Sequence, residues 1–277
     1  LVTAYFRIKS KHSASEYDTW MRNTLSLQDP MVVFTNPEFM DTMKGLRTHA
    51  MNRTVFVPFE LKESVMAAKH DAAWWEHQQT LDPERERHKS YELYWIWNQK
   101  PAWMRAAARL DPFGTKYFLW IDTGYLRHAR FNSQHLVHKY PADIRDDQLL
   151  FLNIARYRAE DFAPGHLITG NRVSGNLFAG TKQAIEWWYD AFYAAFDDYA
   201  SAGKFSGKDQ HMMATACARD LGRCYLAQPV FEGRRLDRIE RWFCMSFILN
   251  GVAPMHRIAQ HGAPAAGAHH GGGEVKL

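Results

Sequence analysis

Short apolar runs alternate with longer amphipathic ones along this chain, and that alternation limits its fold more than any single residue does. "LVTAYF" (1–6), "MVVFT" (31–35), "TVFVPF" (54–59), "YFLWID" (117–122) and "SGNLFAG" (174–180) each close on a polar or glycine signal, the pattern of short strands. Between them lie helical stretches. "SASEYDTWMRNTL" (13–25) offers Ser13 or Ser15 as an N-cap and puts Tyr17, Trp20, Met21 and Leu25 on one stripe. "SYELYWIWNQKPAWMRAAARL" (90–110) places Pro101 at the first turn of its second half. The stretch 181–203 repeats apolar residues at 185, 188, 192, 195, 196 and 199 and stops at Gly203, and a further helix is predicted over 208–219. The expectation is an α/β fold: a mostly parallel central sheet flanked by helices.

At 277 residues and 46% hydrophobic content, one large domain over 1–258 is expected. The segment 62–90 is charged and rich in His and Trp, and reads as an insertion; its adjacent Trp74 and Trp75 read as exposed indoles suited to a glycan or a partner surface. The other tryptophans read as core. The Ala/Gly/His tail 259–277 reads as flexible and as no dedicated metal site. A net charge of +4, dispersed along the chain, suits an anionic small molecule and not nucleic acid. No window approaches the ~18 apolar residues of a membrane span. The start on "LVTAYF", with neither initiator Met nor signal-peptide pattern, suggests a trimmed chain, so cytoplasm and, behind an upstream anchor, secretory lumen both stay open. Cys217, Cys224 and Cys244 lack zinc-site spacing and read as buried thiols, with one bridge possible; Asn52 opens an isolated sequon.

The lone carboxylate at the end of "YFLWID" carries the functional reading. A run apolar on every residue describes a strand buried on both faces, and in open α/β sheets ligands sit outside the carboxyl ends of such strands. Asp122 therefore either ends the strand as an Asx-turn or N-cap residue, or takes a cation or donors at a binding site. Gly124 permits close approach to the backbone. A divalent ion, Mn²⁺ or Mg²⁺, is one partner for Asp122, with His256 or Asp209 as a second ligand.

"WNQKPAWMRAAARLDPFGT", "YFLWIDTGYLR", "GNRVSGNLFAGTKQAIEWW" and "GKDQHMMA" resemble, in order and spacing, the motifs of HtrL/YibB-like proteins, and the arrangement is similar to GT-A nucleotide-sugar glycosyltransferases. That resemblance implies a GT-A-like domain that moves a sugar from a nucleotide donor, a UDP-sugar by expectation, to a glycan or other hydroxyl acceptor. It implies that Thr3, Tyr5 and Phe6 line the base and ribose, that Arg7 or Lys9 faces phosphate, and that Asn98 and Lys100 lie over the donor. It places Asp122, Thr123 and Gly124 at the diphosphate, with Asp122 and His256 as metal ligands. Gly175 and Asn176 would lie beside the sugar, and Asp209 and Gln210 at the acceptor, with Asp209 as general base if configuration inverts. The chain departs from the D-x-D pattern, because Gly124 stands where the second acid belongs. Basic groups, Lys100, Arg7, Arg127 and His256, are the alternative to a metal at the diphosphate. A non-catalytic nucleotide- or glycan-binding relative is the alternative function.

Overall fold

The computed structural model describes residues 1–258 except 129, 130, 132, 231, 232, 234, 238 and 253. Strands β1 (Val2–Tyr5), β2 (Met31–Thr35), β3 (Thr54–Pro58), β4 (Tyr117–Ile121), β5 (Leu149–Asn153), β6 (Val173–Thr181), β7 (Cys224–Pro229) and β8 (Met255–Arg257) form one sheet among the described residues, in the order β3-β2-β1-β4-β6-β5-β7-β8. β1 pairs in parallel with both β2 and β4, β2 with β3, and β5 with β7. β6 runs antiparallel to β4 and β5, and β8 antiparallel to β7. The sheet is mixed and mostly parallel, as expected. β5, β7 and β8 are additions to the sequence reading, and "LLFLN" is a buried apolar run of the same kind as "YFLWI".

Helices cover both faces. On one side α5 (Glu92–Leu110), α6 (Lys182–Ser201) and α7 (Asp209–Arg219) pack over Trp120, Phe151 and Phe178. On the other, α1 (Ala14–Leu25) and α9 (Met245–Leu249) cover Val33, Ile121 and Leu150. The expected stripe of α6 is fully buried: Ile185, Trp188, Phe192, Ala195, Phe196 and Tyr199 are each 0% exposed. Ser13 caps α1 in a capping box with Glu16. α5 runs unbroken through Pro101, where the sequence suggests a restart. The proline removes one helical hydrogen bond, and the burial of Trp103 and Met104 beside it offsets that loss.

Two expectations are corrected. The adjacent indoles read as exposed are packed: α3 (Val65–Lys69) and α4 (Ala72–Leu81) bury Met66 and Trp75 completely, and Trp74 stacks on His70 at 3.7 Å. Neither indole stands free, because the charged residues around them occupy the outer face of the same short helices. Cys217 and Cys224, read as thiols, form a disulfide that ties the end of α7 to the start of β7, while Cys244 is a buried thiol. The tail 259–277 lies outside the described residues. Among the described residues no helix is long and apolar enough to cross a membrane.

Candidate functional site

Strand order reverses at β1: β2 lies on one side of it and β4, reached by a long crossover, on the other. Neighbouring crossovers leave in opposite directions there, and a crevice opens outside the carboxyl ends of the two strands. A cleft occupies that place. It encloses about 770 Å³ of empty space, open mouth included, between the exit of β1, the first turns of α1, the Leu93–Trp97 stretch of α5 and the exit of β4.

The β4 exit is braced before it is functional. Thr3 Oγ1 donates to Ile121 O at 2.7 Å, and Thr123 Oγ1 donates to Ala4 O at 2.9 Å, so β1 and β4 are laced where their ladder is short. Thr24 of α1 donates to Thr123 O at 3.0 Å, and the Tyr125 N–H closes a turn onto Asp122 O at 2.8 Å. Asp122 therefore leaves the sheet at a fixed angle, with its side chain 31% exposed on the cleft.

Its carboxylate takes neither a turn bond nor a helix cap. Trp120 Nε1 donates to Asp122 Oδ1 at 2.7 Å, and Lys100 Nζ sits 3.0 Å from the same oxygen. Lys100 is buried on α5, and its ammonium also donates to Asp209 Oδ2 at 2.8 Å and to Gly175 O at 2.9 Å. Asp209, at the start of α7, is buried too, and the Gln210 N–H donates to its Oδ1 at 2.8 Å. Two hydrogen bonds and an ion pair thereby answer the ammonium, which is what a buried lysine requires. Burial alone would lower the Lys100 ammonium, but Asp122 and Asp209 hold it above its ordinary value. Burial pushes the Asp209 carboxyl up, opposed by Lys100. Gly175 is glycine for room: a Cβ there would lie 2.8 Å from Asp209 Oδ2.

The structure brings some of the expected residues together and separates others. Tyr5, Phe6, Arg7, Asp122, Thr123 and Gly124 line the cleft. Thr3 lies below it in the sheet, and Lys9 is not part of its wall. Phe6 stacks on Trp103 at 5.5 Å, and the Tyr5 hydroxyl donates to Asp18 at 2.7 Å, so both expected base-stacking rings are committed to the protein. Asn98 points away from the cleft: its amide donates to Tyr94, Ser206 and Gly207 carbonyls. Lys100 and Asp209 meet each other behind Asp122 and do not line the cleft. The Asn176 carbonyl accepts the Asp122 N–H at 2.8 Å, and its side-chain amide donates to Trp242 O at 2.7 Å. His256 pairs through its backbone with Gln228, and its side chain lies outside the described residues.

Sequence reasoning passes over Lys11 and reads Tyr17 and Trp97 as packing residues, and all three line the cleft. A signal for Lys11 exists in "RIKSKHS", three basic residues directly after the first strand.

The donor set fits a resident divalent ion poorly. One Asp122 oxygen is held by a tryptophan and an ammonium, position 124 supplies no side chain, and among the described residues no group of three His, Cys, Asp or Glu is placed to hold a metal.

Sheet order and cleft together define an α/β protein with a cleft at the switch point of a mixed sheet, walled by aromatic rings and cations. The chain belongs to the HtrL/YibB family: the model of that family, described as a bacterial protein of unknown function, matches residues 1–201. No curated protein matches it. Among solved structures it is similar to mouse xyloside xylosyltransferase 1 in its apo form, at 11% identity and a TM-score of 0.44, over 81% of this chain and 83% of that one. A likeness of that degree carries no argument about activity, which rests on the residues themselves.

Proposed function

We propose that this chain is a glycosyltransferase that seats a nucleoside-diphosphate sugar, a UDP-sugar in the first instance, in the cleft outside β1 and β4 and transfers the sugar to a glycan or another hydroxyl acceptor. The observation that carries the reading is Asp122: a carboxylate braced from three elements, one oxygen held by Lys100 and Trp120, on the wall of a switch-point cleft. Glycosyl transfer develops positive charge at the anomeric carbon and negative charge on the leaving diphosphate. A fixed carboxylate beside the sugar accepts hydrogen bonds from its hydroxyls and stabilises the first charge, and the cations that line the same cleft stabilise the second. Tyr17 and Trp97, in place of Tyr5 and Phe6, are the rings available to a base. Asp209 lies buried behind Lys100, so in this reading either the acceptor is deprotonated by another group or configuration is retained.

The same sequestration supports a second reading, a relative that binds nucleotide sugars without turnover. One experiment addresses both. Thermal unfolding is recorded against a panel of nucleoside diphosphates and their sugars, alongside release of free nucleoside diphosphate with and without simple glycoside acceptors. The transferase reading expects stabilisation and release, and a loss of at least ~100-fold in release in Asp122→Asn with its melting temperature little changed. Stabilisation without release selects the binding relative. No stabilisation by any member, or undiminished release in Asp122→Asn, ends the proposal.

A further inference from the structure

The cations around the cleft differ in what they have left to give. Arg7 is engaged, its guanidinium 2.8 Å from Asp18 and 4.7 Å from the Phe39 ring. Lys100 is engaged between Asp122 and Asp209. Lys11 and Arg127 line the same cleft, and among the described residues neither has an ion-pair partner. Lys11 stands 5.8 Å from the Trp97 ring. Arg127 is held in place without being neutralised: Nε donates to Gly124 O at 2.6 Å, and the guanidinium lies 4.4 Å from Trp20 and 5.1 Å from Phe243. It folds directly over residue 124, where a Cβ would lie 2.6 Å from Nη2. The position that lacks a second acid thus carries a guanidinium above it, and a side chain there would displace that guanidinium.

Two cations without a direct ion pair among the described residues, lining one cleft, repel each other, and a bound anion would relieve that repulsion. Burial and then the neighbouring Arg127 hold Lys11 below the usual lysine range. We propose that Lys11 and Arg127 form a metal-independent clamp for the diphosphate of the bound nucleotide. The inference rests on the donor reading above and deepens it. The diphosphate linkage of a nucleotide sugar carries two negative charges, matched by one ammonium and one guanidinium. A dication at Asp122 would instead meet an oxygen already holding Lys100, with Arg127 nearby. The charges then separate by role. Lys11 and Arg127 take phosphate, and the outer oxygen of Asp122 is left for sugar hydroxyls.

The test uses the whole chain and titrates inorganic pyrophosphate and uridine diphosphate by calorimetry in EDTA, then repeats both titrations with Mn²⁺. The clamp expects binding in EDTA within about 2-fold of that with Mn²⁺, weakened about 10-fold in Lys11→Ala and restored within about 3-fold in Lys11→Arg. Arg127→Lys, which keeps the charge but loses the fork, is expected to weaken binding by about 3-fold. Raising salt from about 0.05 to about 0.5 M should weaken the parent more than Lys11→Ala. Binding that appears only with Mn²⁺, or parent-like affinity in Lys11→Ala, overturns the clamp. The two proposals fail separately: pyrophosphate held in EDTA by a protein that uses no nucleotide sugar leaves the clamp and removes the transferase. Strictly Mn²⁺-dependent turnover does the reverse.

Discussion

Two groups of charge lie on either side of the β4 exit, and they differ in how completely the protein answers them. Behind Asp122, Lys100 is buried with two hydrogen bonds to protein oxygens and two carboxylates beside it. In front, Lys11 and Arg127 face the cleft with no carboxylate of their own among the described residues. Charge satisfied internally serves the fold, whereas charge held in place without an ion pair stays available to a ligand. The contrast also assigns Asp122, which belongs to both groups: one oxygen is structural, and the other faces the cleft.

Removing the inner cation should have the largest effect. Lys100→Met leaves Asp209 buried without a counter-charge and is expected to lose about 3–5 kcal/mol in urea unfolding, part of which Asp209→Asn returns in the double variant. A single variant that unfolds like the parent would show that water, and not Lys100, answers Asp209. Next comes a buried group that avoids charge altogether. His211 is held down to about 4 by burial first and by Lys208 second, and its Nδ1 has no hydrogen-bond partner. Its folded pKa lies below its unfolded value near 6.5, so the unfolded chain binds the extra proton between the two. Stability is then fully present above pH ~6.5 and falls as pH drops toward ~4, by about 3 kcal/mol. His211→Leu should flatten that window in denaturation profiles taken from about pH 7 to about pH 4.

Gly175→Ala probes how tightly the inner group is built. The new Cβ would press on Asp209 and on Met213 Sδ at 3.3 Å, and a loss of about 1–3 kcal/mol is expected by thermal unfolding. The smallest stability effect belongs to the outer group. Lys11→Ala should change unfolding by no more than about 0.5 kcal/mol while weakening pyrophosphate, the reverse of what Lys100→Met does to the fold. If Lys11→Ala destabilised the chain by as much as Gly175→Ala, the division between inner and outer charge would fail.

Much of the frame is legible without coordinates. The runs at 1–6, 31–35, 54–59, 117–122 and 174–180 all contain strands, and the stripe of α6 is buried at every expected position. β5 goes unread although "LLFLN" is as continuous an apolar run as "YFLWI", and β7, "CYLAQP", is short and mixed in polarity. Trp74 and Trp75 mislead because the polarity of their neighbours describes the outer face of α4 and says nothing of the inner one. Asp122 is legible from its run-in. Lys100 and Asp209 also stand out along the chain, but as separate groups facing a ligand, whereas in the fold they face each other.

What the amino-acid order determines by itself is local: periodicity chooses helix or strand, Ser13 caps α1, and an acid closes a doubly buried strand. What tertiary structure decides is which charges meet. Lys100 and Asp209 lie 109 residues apart, and the ammonium that reaches both acids does so only because α5, β4 and α7 converge behind one strand end. A charge takes its role from its nearest opposite charge and from the water excluded around it, and neither is written in the residues adjacent in the chain.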